Sequence, residues 1–421
     1  MAEDATQRIG LPMTLALVVG SIIGAGIFML PVSLAPLGWN AAIGWLVSGS
    51  GALCLAYGLS RLTRGGEGIQ AHIEQAFGPV PAFIAAWSFW CAAWTSNAAL
   101  AIAAALALSR INPWLSNPAI ITSVAVSLVA VLTLVNALGI RSAGRMQIAT
   151  TAIKIIPLLA VILILLLRGS RGDPVEQLPA TPISFDNIAT AAALTLYALT
   201  GFEYATALVG KVRDARRTLP LAMVGGTAFV ALLYLVSSSA VVLLVPASLV
   251  VSSAAPFADA LASAWGETAV LIAAFCIAVS AFGALNSGIL VSGELAYAMA
   301  LRCDLPEPFS RTRPDGTPVL SQCVAGALAV MLILLNSSRD TANLFTFIIL
   351  LATVGTLVMY LLGALGALRT ARGFRTRLII MIGTVFALFA FYGSGWEANA
   401  WGLALITVGL VVRTGTRAWR R

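Results

Sequence analysis

Charge is scarce in this chain. Of its 421 residues, 10% are Asp, Glu, Lys or Arg, against about 25% in soluble domains, so a soluble globular fold is excluded. Histidine is nearly absent: His72 stands alone, which leaves no His-based metal cluster and no nucleophile–base pair built on histidine. The five cysteines, Cys54, Cys91, Cys276, Cys303 and Cys323, include no CxxC pair, so they encode neither a zinc site nor a disulfide framework. No G-x-x-x-x-G-K phosphate loop occurs. Long polar segments are missing too, the longest connections holding about twenty residues, too few for a separate domain. Together these absences argue against an enzyme, and neither a cofactor nor a metal is expected.

Apolar residues fill the space. They make up 59% of the chain, with mean hydropathy +0.94. They fall into runs near 11–35, 41–60, 80–108, 119–139, 146–167, 187–209, 220–245, 268–300, 319–336, 342–367, 376–392 and 398–413, each near the roughly 20 residues that cross ~30 Å of hydrocarbon. The expected fold is an all-α integral membrane protein with twelve transmembrane helices in one domain, 11–413. Residues 1–10 are expected as a cytoplasmic N-terminus and 414–421 as a basic cytoplasmic tail. The polar residues before the first run show no small-residue cleavage site, so that run is expected to stay as a span.

The net charge of +8 invites a nucleic-acid reading, but its distribution answers it. With the N-terminus inside, cytoplasmic segments hold Arg8, Arg61, Arg64, Arg141, Arg145, Lys211, Arg213, Arg216, Arg217, Arg302, Arg311 and Arg313. They also hold Arg369, Arg372, Arg375, Arg377, Arg413, Arg417, Arg420 and Arg421. The opposite side has Arg110, Arg168, Arg171 and Arg339. That asymmetry is the positive-inside pattern for an even number of spans with both termini cytoplasmic. The partner it implies is a lipid bilayer, such as a bacterial inner membrane, and not a nucleic acid.

The first run is interrupted by Gly20, Gly24 and Gly26 in G-S-I-I-G-A-G-I-F, with Pro31 a turn beyond. Lipid offers no partner to a free backbone group, so a broken helix at that depth must face protein or a water-filled cavity. In transporters such breaks commonly form the substrate site; the competing reading is close helix packing through small residues. The sixth run repeats the device, with Gly201 beside Thr200 and ahead of Glu203. Spans 1 and 6 thus head two five-span halves, 11–167 and 187–367, with helices 11 and 12 (376–413) outside. The half-helix beginning near Gly24-Ala25-Gly26 presents free N–H groups that suit a carboxylate, while unwound carbonyls near Ile22, Tyr197 and Thr200 suit an ammonium. One small zwitterion satisfies both, which points to an α-amino acid. Tyr197, Phe89 and Trp90 are candidates to close over it, although aromatic residues at helical spacing also serve simply as packing. The stretches 61–77 and 251–266 are expected as an amphipathic cytoplasmic helix and a short external helix.

Intramembrane charges are costly and so mark function by default. Here they are Lys154 in span 5, Glu203 in span 6 and Glu294 toward the inner end of span 8. Lys154 can donate to the orphan carbonyls of a broken helix; the competing reading is a lysine that snorkels to the interface. Glu203 can titrate during transport, or can cap the break without changing charge. Glu294 lies close to Arg302 and the cytoplasmic water, which suits a gate or an interface pair better than a substrate contact.

These residues resemble the amino acid–polyamine–organocation (APC) superfamily, in particular the basic amino acid/polyamine antiporters that exchange arginine for agmatine or lysine for cadaverine. The resemblance runs from about Gly10 to Arg369 and is carried by G-S-I-I-G-A-G-I-F-M-L-P, A-F-G-P at 76–79, T-G-F-E at 200–203, A-A-P-F-A-D-A at 254–260 and Y-A-M-A at 297–300. It implies a leucine-transporter-type 5+5 inverted repeat and alternating access. The carboxylate is then held at Ala25 and Gly26, the ammonium at Ile22, Tyr197 and Thr200, with Glu203 as the gating glutamate. Gly288 stands where the arginine/agmatine exchanger has a tryptophan. Lys154 resembles the span 5 lysine of sodium-independent neutral amino-acid members. The expectation is a sodium-independent amino-acid exchanger with a neutral substrate preferred; the alternatives are a cationic amino acid/amine antiporter or a proton-coupled permease. Homodimers occur in the group it resembles.

Overall fold

A computed structural model describes residues 10–62, 69–138 and 143–419. Arg8, Arg64, Arg141, Arg420 and Arg421, and with them most of the N-terminal segment, lie outside the described residues. Within those described, the regular structure is entirely helical. The helices in chain order are α1 (Leu11–Ile22), α2 (Gly26–Leu34), α3 (Trp39–Leu62), α4 (Ile69–Phe77), α5 (Pro79–Ile111), α6 (Pro118–Ala137), α7 (Ala143–Arg171) and α8 (Phe185–Leu199). They continue with α9 (Ala215–Leu244), α10 (Ala247–Val251), α11 (Pro256–Leu301), α12 (Val319–Leu335), α13 (Thr341–Thr370), α14 (Phe374–Gly393) and α15 (Gly395–Trp419).

Among the described residues, nine helices are long and apolar enough to cross a membrane, and ten if the bent pair α1–α2 counts as one. The protein is therefore a multi-pass membrane protein. The shorter apolar helices α8 and α12 occupy the sixth and ninth expected runs. Helix ends extend beyond the apolar runs where polar residues continue the helix. The last helix runs on to Trp419, past the end at 413 that hydropathy suggested, so part of the expected basic tail is helical.

Both anticipated breaks are present. α1 stops at Ile22, α2 starts at Gly26, and the two are bent by 45°. α8 stops at Leu199; Thr200 is extended, Gly201 has φ +117°, and a 3₁₀ segment, Phe202–Lys211, follows. The breaks meet each other: a side chain at Gly201 would place its Cβ 2.6 Å from the Ser21 carbonyl oxygen. Glycine is required at 201 for both reasons, the positive φ and the close approach.

α5 is largely buried and packs against α11 and α13, while α11 also packs on α7. The core around the breaks is thus built from α1, α5, α7, α8, α9 and α11. α4 is the expected amphipathic helix, burying Ile69 and Ile73. The expected external helix is two pieces, α10 and the first part of α11, which is kinked at Gly266 (φ +75°).

Candidate functional site

A cavity of about 330 Å³ lies where the two breaks meet. α1 and the break after it contribute Leu17, Gly20, Ser21, Ile22 and Gly24, and α2 contributes Gly26 and Ile27. α5 presents Ala93, Ser96, Asn97 and Leu100; α11 presents Ala284, Ser287, Gly288 and Val291, one helical face at i, i+3, i+4 and i+7. The second break adds Tyr197, Ala198, Thr200, Gly201 and Tyr204, and α7 adds Lys154. Beyond the start of α2, Phe28 is fully buried and meets Phe257 edge-on at 5.4 Å.

Backbone groups dominate the walls nearest the breaks. Ala25 is the N-cap of α2 and offers no side-chain cap, so the first amides of α2 begin at the cavity with the positive end of its dipole. One of them, Phe28 N–H, is satisfied by the Ala25 carbonyl at 3.1 Å. Opposite them, the Ile22 carbonyl accepts from the Gly24 amide at 2.8 Å and from the Tyr234 hydroxyl at 3.3 Å. The Tyr197 carbonyl accepts from the Thr200 amide at 3.3 Å and its hydroxyl at 2.7 Å. Gly26 has no side chain because the Tyr197 ring takes its place; a Cβ there would sit 2.6 Å from a ring carbon.

Lys154 is fully buried and its Nζ donates to the Gly20 carbonyl at 3.4 Å. That carbonyl belongs to the last turn of α1. Lys154 is the charged side chain of the cavity wall, and no carboxylate joins it among the described lining residues. Glu203 stands behind the wall. Its Oε2 accepts from the Gly201 amide at 2.9 Å and from the Tyr360 hydroxyl at 2.6 Å, and Tyr360 stacks on Phe202. This carboxylate ties the second break to α13.

The far wall is polar through one amide. Asn97 Nδ2 donates to Ser292 Oγ at 3.0 Å, and Ser292 Oγ donates to the Gly288 carbonyl at 2.6 Å. Asn97 Oδ1 is buried and accepts no hydrogen bond from the described residues. It lies over Gly288, where any Cβ would collide with it. An unpaired acceptor at a cavity wall costs desolvation unless a ligand or water completes it.

The amino acid permease family matches residues 9–412, nearly the whole chain. The chain belongs to the amino acid permease family. Within the APC superfamily its relatives are those of the basic amino acid/polyamine antiporter group. It is similar to a putrescine transporter of Haemophilus influenzae, 26% identical over 416 residues and 96% of each chain. It is also similar to a cadaverine/lysine antiporter of Escherichia coli, 27% identical over 411 residues, 93% of this chain and 91% of that one. The permease is a transporter and not an enzyme.

Of the site residues expected from sequence, the permease brings Ile22, Gly24, Gly26, Lys154, Tyr197, Thr200 and Gly288 to one cavity. Four do not line it. Ala25 is fully buried beside it. Phe89 is a turn below the lining face of α5, its ring against Tyr204 at 5.9 Å. Glu203 is set back as described. Trp90 is elsewhere altogether, in a cluster with Trp87, Trp94 and Phe83. Glu294 is exposed, and Arg302 pairs with Glu74 of α4. Sequence reasoning missed Asn97, Ser96, Tyr204 and Tyr234. Asn97 carried a usable signal: an amide in the middle of a long apolar helix is costly unless it faces protein or a cavity.

Proposed function

We propose that the permease is a sodium-independent amino-acid exchanger working by alternating access, with a neutral side chain preferred. Counting α8 and α12 as spans gives twelve helices, arranged as a 5+5 inverted repeat with α14 and α15 outside, and both termini cytoplasmic. The substrate carboxylate is held at the start of α2 by the Ala25 and Gly26 amides. Its ammonium faces the carbonyls of Ile22, Tyr197 and Thr200. Lys154 occupies the position of a coupling cation by holding the end of α1 through Gly20, so no sodium is needed there.

The observation that carries the neutral preference is the charge of the described cavity wall: one lysine and no carboxylate. A second cation buried beside Lys154 without a counter-charge is disfavoured. The names of the relatives favour the other reading, a cationic amino acid or diamine antiporter. Asn97 Oδ1 is the acceptor such a distal ammonium would use.

Counterflow in proteoliposomes separates these readings. Vesicles preloaded with alanine, lysine or cadaverine are given labelled substrate outside, in sodium-free buffer. Uptake driven by internal alanine and not by cadaverine is expected; uptake driven only by lysine or cadaverine overturns the neutral preference. Uptake that needs no internal substrate but follows an imposed proton gradient overturns exchange.

A further inference from the structure

We propose that a groove at the end of α7 binds the phosphate of an anionic phospholipid in the external leaflet. The leaflet follows from the orientation of the termini proposed above; the site itself is independent of what the permease exchanges. The groove encloses about 520 Å³. Arg168 and Arg171, from the last turn of α7, form its polar side, with Asp173 just beyond them. Ile164 and Leu167, earlier on α7, and Trp265 of α11 form its apolar side. Leu163, Leu166 and Leu167 are exposed, so the apolar side continues into the surface that α7 turns to lipid. The chain leaving α7 is fastened at both ends of a short stretch. The Asp173 amide donates to the Arg168 carbonyl at 3.1 Å, and the Glu176 amide to the Leu243 carbonyl at 2.9 Å.

Charge and shape together select the ligand. Two guanidiniums against one carboxylate leave the described groove with a net positive charge. External arginine runs against the positive-inside bias, and two of the four expected on that side converge here. The other two serve ion pairs elsewhere, Arg110 with Asp259 and Glu267, and Arg339 with Glu397. Arginine in a last turn also complements the helix dipole, but that role needs neither a groove nor a tryptophan beside it. A free inorganic anion would use the arginines and leave the apolar side bare. A phospholipid uses both sides. Its phosphate oxygens accept from the planar guanidiniums, Trp265 stands at headgroup level as interfacial tryptophans do, and an acyl chain lies along Ile164 and Leu167. A zwitterionic headgroup would bring its ammonium against the same positive charge, so an anionic lipid is favoured.

Native mass spectrometry of the full-length protein in neutral detergent tests the site. The probes are dioleoyl phosphatidylglycerol, phosphatidylcholine with the same chains, and inorganic phosphate. The parent is expected to retain phosphatidylglycerol in preference to phosphatidylcholine. Arg168→Gln with Arg171→Gln is expected to weaken the tightest phosphatidylglycerol binding about tenfold or more, as the loss of two arginines near a headgroup implies, and to leave phosphatidylcholine unchanged. Arg168→Lys with Arg171→Lys keeps the charge and should keep the preference, while Trp265→Ala should weaken both lipids alike. Equal retention of the two lipids by the parent overturns the site, as does a preference that survives in the glutamine pair. So does a lysine pair that loses the preference as fully as the glutamine pair, which would mean a merely structural role. Displacement of phosphatidylglycerol by inorganic phosphate would make the groove a free-anion site and overturns the lipid. Lipid binding is read without transport, so a parent that exchanges none of alanine, lysine or cadaverine fails the transport reading separately.

Discussion

At the scale of single residues, the site depends on where polar atoms lack partners and where glycine makes room for one. Lys154 donates to the Gly20 carbonyl from a fully buried position. Removing a charged donor from such a contact costs about 1.5–3 kcal/mol. Lys154→Ala is therefore expected to lower exchange about tenfold or more, measured as initial counterflow rate, with the protein still monodisperse. Gly288 is opposite in kind. A methyl group there collides with Asn97 Oδ1, and overpacking of this sort costs about 1–3 kcal/mol. Gly288→Ala should weaken substrate binding about tenfold, read as a reduced thermal shift with alanine. Lys154 and the glycines were legible in the sequence because intramembrane charge and helix breakers are unusual in lipid. Phe89 does not line the cavity, and an apolar aromatic on a buried helix carries no mark in the sequence of which turn meets it.

At the scale of elements, the two broken helices act as one unit. The backbone of α1 near Ser21 fills the space a side chain at 201 would need, and Gly201 itself has φ +117°. Backbone strain at such a position costs about 1–3 kcal/mol before any clash is counted. Gly201→Ala should lower the melting temperature of the purified protein and abolish exchange; an unchanged melting temperature would show that the breaks do not touch. The break positions were readable from Gly24, Gly26 and Gly201. Their contact was not, because local propensity says where a helix stops and nothing about which neighbour occupies the gap. The same holds for Glu203. Sequence marked it as functional, and the fold sets it behind the wall, joined to Tyr360 of α13.

At the scale of the whole molecule, the last helix is fastened to the rest by a buried charge cluster. Arg413 Nε donates to Asp304 Oδ1 at 2.8 Å, Arg417 reaches the same oxygen at 3.0 Å, and the Arg413 guanidinium lies over Phe83. Leaving a buried carboxylate without its partner costs about 3–5 kcal/mol. Arg413→Leu should cost less than that, because Arg417 remains, and Arg413→Leu with Arg417→Leu should cost more, both measured by thermal unfolding in detergent. The sequence by itself determined that the chain crosses a membrane repeatedly, where its first and sixth spans break, and that its buried charges are few. Those follow from the cost of bare backbone and charge in hydrocarbon, which is a local property of each segment. Only the tertiary structure decided that the breaks enclose one cavity, that Asn97 faces it while Glu203 does not, and that Arg413 is buried and not part of a solvated tail. Those are matters of which faces of distant helices pack together, and no single segment carries that information.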